Sequence, residues 1–257
     1  MSNPLLIKLL SVLDLACEDQ AALARLTDRR RSLNAREHLI REGEAPTRIH
    51  LVVDGFACRC KMLPEGRRQI VAILAPGDFC DLQVAIVGRL DHSVVTLTPC
   101  VVADVDRDLI MEIIATRPGL ARALWWMTLV EEATLREWLV NMGQRSTDRR
   151  LAHLLCELLT RLQAVGRAGD NAFELPLTQQ DLADTLGISP VHVNRVLQQL
   201  RADGLIGLAG RLVEVPDVER FKAFAGFDAH YLRLGAAMAP SASQMDVASS
   251  PPPGGAG

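Results

Sequence analysis

From about Ser32 to Asp108 the chain alternates short apolar runs with turn residues. His50-Leu51-Val52-Val53 stops at Asp54-Gly55, and Phe56 to Met62 stops at Pro64-Glu65-Gly66. Gln69 to Leu74 stops at Pro76-Gly77-Asp78, and Ser93 to Leu97 stops at Pro99. Strands this closely spaced, with Gly and Pro between them, predict a small antiparallel sandwich or barrel. Leu5 to Leu26 reads as helical and is expected to pack against it.

The period then changes. Pro118 stands at the start of a helix, where a missing N–H costs nothing, and the pattern runs unbroken to Met142 before Gly143. Leu120, Leu124, Met127, Leu135, Trp138 and Met142 make a stripe along one side. Trp125, Trp126, Leu129, Val130 and Leu139 widen it beyond what one sandwich face covers, so a second copy of the helix is the expected partner. Glu131 and Glu132 interrupt the stripe, and a helix buried within its own chain is the competing reading. Leu151, Leu154, Leu155, Leu158, Leu159 and Leu162 then define an amphipathic helix able to seed a separate core. From about Gly235 the chain is rich in Ala, Ser, Pro and Gly. Such a stretch buries too little apolar surface to offset its ordering entropy. The expected division is a sandwich at 1–116, the long helix at 117–144, a further domain at 145–225 and a largely disordered tail at 226–257.

The stretch from Leu177 to Leu200, LTQQDLADTLGISPVHVNRVLQQL, carries the chemistry. Thr178 can cap a helix whose inward face is Leu182, Ala183 and Leu186. Gly187 supplies a left-handed turn residue, Ile188 plugs the junction, and Ser189 caps a second helix with Pro190 at its first position. Val193, Val196, Leu197 and Leu200 face inward. Two short helices sharing a core across a tight Gly turn form a helix-turn-helix. The period leaves Val191, Asn194, Arg195 and Gln198 outward, with His192 at the flank. Arg195 can donate two hydrogen bonds to guanine, Asn194 can pair with adenine, and Val191 can touch a thymine methyl. Thr178, Gln179 and the amides around Ser189 suit phosphate. Leu205-Ile206, Gly207 to Gly210 and Leu212 to Val215 read as a hairpin wing with Arg211 at its tip. The whole predicts a winged helix-turn-helix reading double-stranded DNA.

Charge adds a constraint. The formal net charge is −3, and Arg145 to Ala225 holds ten basic and ten acidic side chains. Affinity for DNA must therefore come from positioned groups rather than bulk charge. Pro4 to Cys17 is too short and too interrupted for a signal peptide, and no apolar run is long enough for a transmembrane helix. Six cysteines without a C-x-x-C pair fit a reducing, cytoplasmic compartment. No G-x-S-x-G, H-E-x-x-H, P-loop or G-x-G-x-x-G occurs, so neither a catalytic residue nor a metal site is expected. A sensing scaffold whose C-terminal module docks to protein is the rival class.

The chain resembles the Crp/Fnr superfamily of transcription regulators over roughly Leu26 to Phe224. The resemblance rests on Asp54-Gly55 and Pro76-Gly77-Asp78-Phe79, and on Gly187 through Arg195. It implies an α+β fold: an N-terminal antiparallel β-roll of cupin or jelly-roll kind, a long dimerisation helix and a C-terminal winged helix-turn-helix. It implies a homodimer joined through 117–144 on a palindromic operator, its recognition helices set near one duplex turn, ~34 Å apart, with RNA polymerase a candidate partner. The family's recognition helix carries Glu four residues before its Arg; Val191 stands there instead. In members that bind cyclic nucleotides, a Gly-Glu-Leu holds the ribose and an Arg-Ser pair clamps the phosphate. The matching stretches read Cys80-Asp81-Leu82-Gln83 and Asp91-His92-Ser93, which makes Asp81, Gln83, His92 and Ser93 the candidate effector pocket. A mostly neutral imidazole cannot repeat the guanidinium fork, so cyclic AMP is not expected to bind. Cluster-binding members use a close group of N-terminal cysteines, and only Cys17 is present here, so no iron–sulfur cluster is expected. Cys58 and Cys60 should share one strand face, with Cys80 and Cys100 in the same barrel, as ordinary buried thiols.

Overall fold

The computed structural model describes residues 3–175 and 177–235. Two short helices open the chain, α1 (Pro4–Leu10) and α2 (Cys17–Arg25), in place of the continuous helical stretch expected over Leu5 to Leu26. Asn3 starts α1 by accepting the amides of Leu5 and Leu6 at 3.1 and 3.2 Å. Ser11 ends it by turning its hydroxyl back onto the Lys8 carbonyl at 2.7 Å, a local bond that competes with helix continuation.

The sandwich follows as β1 (Arg30–Leu33), β2 (His38–Ile40), β3 (Arg48–Asp54), β4 (Ala57–Met62), β5 (Arg68–Leu74), the short α3 (Val84–Val87), β6 (Ser93–Thr96) and β7 (Cys100–Asp106). One sheet has the order β1-β7-β3 and the other β2-β6-β4-β5, with every pairing antiparallel. Between the sheets lie Ile40, Val52, Ala57, Leu74, Cys80, Val84 and Val94. The outer face of the first sheet, through Ile49, Leu51, Val53, Ala103 and Val105, is covered by α1, α2, α4 (Arg107–Thr116) and the first half of α5 (Pro118–Gln144). Both faces of β3 are thus dry, which explains why it reads as a continuous apolar run rather than an alternating one.

On α5 the predicted stripe holds only in part. Leu120, Ala123, Leu124, Trp126 and Met127 are buried, Trp138 is half-buried, and Leu135 and Met142 are exposed. The helix ends at Gln144, passing through Gly143. The C-terminal elements are α6 (Thr147–Ala164), β8 (Ala172–Glu174), α7 (Gln179–Leu186), α8 (Pro190–Ala202), β9 (Gly207–Ala209), β10 (Leu212–Glu214) and α9 (Val218–Ala225). Their core, built on Leu151, Leu155, Leu158, Leu182, Val193, Leu200 and Phe221, is continuous with the outer face of the four-stranded sheet through Phe56, Cys58, Cys60, Ile70 and Val95. The separate core expected for this region is therefore shared with the sandwich.

The tail assigned from residue 226 begins with a packed segment, a correction to that boundary. Phe227 and Leu232 are buried, and a 3-10 turn spans Ala229–Leu232; residues 236–257 lie outside the described residues. This segment closes the elbow between α5 and α6. The fully buried His153 stacks on Tyr231 and meets the edge of Phe227, while Asn141 Nδ2 lies 3.0 Å from its Nδ1. Buried Glu157 accepts from Trp138 Nε1 at 2.9 Å and Tyr231 Oη at 2.8 Å. Apolar side chains and these satisfied polar contacts hold the segment, which composition alone gives no reason to expect.

Two outcomes follow. Gly55 turns β3 into β4 at φ +80, and an added Cβ would stand 2.2 Å from the Pro99 carbonyl oxygen. Gly55→Ala should cost roughly 2–4 kcal/mol in denaturant unfolding, combining backbone strain and overlap. Gly43→Ala, also left-handed but with nothing within 4 Å, should cost only about 1–2 kcal/mol. Burial, with Arg145 nearby, lowers the His153 imidazole to about 4 against the opposing pull of Glu137. Native His153 is then neutral where an unfolded chain, with the ordinary value near ~6.5, takes up a proton. Thermal stability should fall as pH drops from about 6.5 to about 4, and His153→Gln should flatten that decline.

Candidate nucleic-acid interface

The helix-turn-helix is assembled by three caps. Thr178 and Asp181 form a reciprocal capping box at the start of α7: Thr178 Oγ1 accepts the Asp181 amide at 3.1 Å, and Asp181 Oδ2 accepts the Thr178 amide at 3.0 Å. Gly187 closes α7 in the left-handed region at φ +66, and a Cβ there would meet Met142 Cε of α5 at 2.9 Å. Ser189 then opens α8 by accepting the His192 amide at 3.2 Å, with Pro190 next. Val193, Val196, Leu197 and Leu200 are buried, and Ile188 packs against the same cluster.

That inward face fixes the outward one. Val191 is 81% exposed, Asn194, Arg195 and Gln198 are exposed, and His192 is half-exposed. Among the described residues, no side-chain hydrogen bond or ion pair engages Asn194 or Arg195, so both can donate to a base edge. Gln198 is shared with Arg201, whose NH1 donates to it at 3.1 Å. Arg201 is exposed one turn further along the same helix, a cation the sequence reading passed over. Thr178, Gln179 and Ser189 are exposed at the two helix N-termini, where amides and helix dipole favour phosphate.

The wing differs from its expected form. Leu205 and Ile206 are buried residues of the approach, and the first wing strand is Gly207–Ala209. It pairs with β10 through Ala209↔Leu212, leaving Gly210 and Arg211 as the turn, and Arg211 is exposed at the tip. β8 completes the sheet on the far side of β10. The turn is tight because Gly210 takes φ +61, and the two apolar residues serve the core rather than the ladder.

The candidate effector residues do not converge. Asp81 is fully buried and spent on His50: Oδ1 accepts the His50 amide at 2.6 Å, and Oδ2 lies 2.7 Å from His50 Nδ1. Ser93 Oγ accepts the Glu42 amide at 3.0 Å, and Gln83 stands at the start of α3. His92 is buried, bonded to Asp91 at 2.8 Å, and burial lowers its pKa. A cavity of about 80 Å³ lies instead between the sandwich and α5, and none of these four residues lines it. Its polar lining includes Arg59, Asp78, Glu131 and Arg161. Arg59 is buried, donates to the carbonyls of Cys80 and Phe79 at 2.7 and 3.0 Å, and pairs with Glu131 of α5. The Glu131 that interrupts the apolar pattern thus answers an arginine hidden in a strand. The sequence signal was present on α5, but its partner could not be identified without the register.

Cys17 is exposed, and Cys58, Cys60, Cys80, Cys100 and Cys156 are buried. Burial pushes Cys80 and Cys100 up, and Cys156 up to about 12, so these thiols stay protonated and unreactive. Among the described residues no group of three His, Cys, Asp or Glu side chains could hold a metal ion, and no helix is long and apolar enough to cross a membrane.

Comparison with known proteins follows the same division. Residues 30–117 match the cyclic nucleotide-binding domain family, and residues 149–224 match the Crp-like helix-turn-helix domain family. The transcriptional activator protein FnrL of Cereibacter sphaeroides is 32% identical over 204 residues, covering 77% of this chain and 81% of that protein. The nitrogen fixation regulation protein FixK of Bradyrhizobium diazoefficiens is 30% identical over 197 residues, covering 77% and 82%. The solved structure of FixK2 from Bradyrhizobium japonicum superposes with a TM-score of 0.69 at 27% identity, covering 76% of this chain and 96% of that one.

The two kinds of contact can be separated. Arg195→Ala should cost about 1–3 kcal/mol on a preferred duplex, with little change on random DNA. Arg211→Ala should weaken both alike and lower the salt slope by about one. Fluorescence anisotropy across a salt series reads both.

Proposed function

Because the chain belongs to the Crp/Fnr family of DNA-binding transcription regulators, we propose that it reads a palindromic operator as a homodimer, through Val191, Asn194, Arg195 and Gln198 of α8. The observation that carries this reading is the locked orientation of that helix. Its apolar side is buried in the protein, and its polar side stands free with an unpaired arginine and asparagine. Thr178, Gln179, Ser189 and Arg211 supply phosphate contacts that set the register, and His192 flanks them. Val191 offers the duplex a methyl surface where the family's glutamate would accept a hydrogen bond from cytosine, so the preferred base at that step differs.

The dimer is supported by α5. Trp125 and Leu139 are 67% and 73% exposed, and Leu129, Leu135 and Val140 are exposed beside them. A run of large apolar side chains on one long helix gains about 25 cal/mol per Å² when a second copy covers it. Glu132 is held by Arg136 on the same helix and need not oppose the pairing.

The sensor is read as one that does not take cyclic AMP and holds no iron–sulfur cluster. Supporting this, Arg59 in the cavity is already paired with Glu131, and His92 is a buried neutral ring rather than a guanidinium clamp. The protein is placed in the cytoplasm, with no catalytic role. That relatives are named as transcriptional activators supports reading RNA polymerase as a further partner.

Sequences selected from random duplex DNA should converge on an inverted repeat with half-sites about one helical turn apart. Sedimentation should give a dimer at micromolar concentration, and Leu139→Glu should shift it toward monomer with loss of binding. Added cyclic AMP should leave the binding curve unchanged. A monomeric wild type, or selected sites without symmetry, would contradict the scheme.

A further inference from the structure

A group of charges lies at the seam between sandwich and reader, apart from the outward face of α8. β5 is an edge strand of the four-stranded sheet, and α7 of the reader lies against it. Across that seam Arg36 forks onto Asp181, its NH2 donating to Oδ2 at 2.6 Å and its NH1 to Oδ1. Arg68 of β5 bridges two carboxylates, with NH2 donating to Asp181 Oδ1 at 2.8 Å and Nε to Asp184 Oδ2 at 2.6 Å. Gln69 Nε2 adds the Thr185 carbonyl at 3.3 Å. Arg36 is held at φ +66, one of two non-glycine residues in the left-handed region among the described residues. Strain of that kind persists only where surrounding contacts hold it. A second anchor lies on the preceding helix, where Arg161 of α6 donates to Asp78 at 2.6 Å and to the Ile73 carbonyl at 2.7 Å.

We propose that Arg36 and Arg68 of the sensor are positioning residues for DNA reading: by clamping Asp181 and Asp184 they set the pose of α7, and with it that of α8. The coupling is mechanical. α7 and α8 share one core, so rotating the first helix rotates the second. Two forked arginines restrain that rotation as a single point contact could not. With the clamp closed, Val191, Asn194, Arg195 and Gln198 remain exposed, so the clamped pose is open to a duplex. The clamp also neutralises Asp181, in the first turn of α7, where phosphate must approach. Burial pushes the Asp181 carboxyl up, but hydrogen bonds from Arg36, Thr178 and Arg68 outweigh it and keep it ionised.

The inference rests on the DNA reading above, and the test separates the two. Asp184→Asn spares the capping box and removes a negative charge from the DNA-binding domain, which by electrostatics alone should tighten binding. The clamp predicts the opposite, a loss of about fivefold on the selected operator. Arg68→Ala should lose a similar factor with the wild-type salt slope, and Arg68→Ala with Asp184→Asn should be no weaker than either single change. In the DNA-free protein, amide exchange across residues 68–74 should quicken in each variant, with the far-UV circular dichroism unchanged. Equal or tighter binding by Asp184→Asn overturns the proposal, as do additive losses in the double variant. A salt slope shallower by about one in Arg68→Ala also overturns it, since that marks a direct phosphate contact. A wild type that binds no selected duplex would instead refute the DNA reading, while the exchange measurement still reports on the clamp.

Discussion

Burial of Val193, Val196, Leu197 and Leu200 against α7 and α6 is the constraint on which the reader's chemistry depends. A helix of 13 residues would not hold one orientation alone in water; packing of its apolar face gives it one. Once that face is turned inward, the 3.6-residue period leaves Val191, Asn194, Arg195 and Gln198 no other direction than outward. The caps contribute by satisfying the helix-end amides and by making the turn at Gly187 short enough for the two helices to share a core. Recognition is in this sense a by-product of packing: the side chains that would read bases are those the core rejects.

The same core ties the reader to the sensor. The outer face of the four-stranded sheet is apolar, and the reader's helices cover it in one continuous cluster. An edge strand, β5, which would otherwise present unpaired backbone groups, lies under α7. Charged contacts then select the orientation within that apolar contact, since burial itself is nondirectional. Asp78 illustrates the arrangement: it accepts from Lys8 of α1 at 2.6 Å, from Arg161 of α6 at 2.6 Å and from the Ala75 amide at 2.8 Å. Three parts of the molecule therefore meet on one carboxylate.

Inside the sensor, the buried charges are balanced internally. Arg59 is answered by Glu131 and two carbonyls, and Asp81 by His50. A buried ion leaves water only when its hydrogen bonds are replaced. The Arg59–Glu131 pair links the sandwich to the long helix, and both side chains line the cavity near α5.

Local pattern made much of this legible. The helix-turn-helix, its caps and its inward and outward faces follow from residues within 24 positions of one another, because helix period and capping are short-range properties. The turns at Asp54-Gly55 and Pro76-Gly77-Asp78 likewise punctuate the strands. What the sequence could not specify is what depends on register and on distant neighbours. The four candidate effector residues are adjacent by family resemblance, but the fold spends Asp81 on His50 and Ser93 on Glu42. Leu205 and Ile206 look like a strand and serve as core, and Phe227 and Leu232 stand in a region that composition assigns to a tail. The pairings of Arg59 with Glu131 and of Arg36 with Asp181 join residues 72 and 145 positions apart. Sequence by itself determined the helix-turn-helix and the outward face of its second helix, since both are set within a few helical turns; tertiary structure alone decided which buried charges meet and how reader lies on sandwich, since those contacts exist only after the sheets have closed.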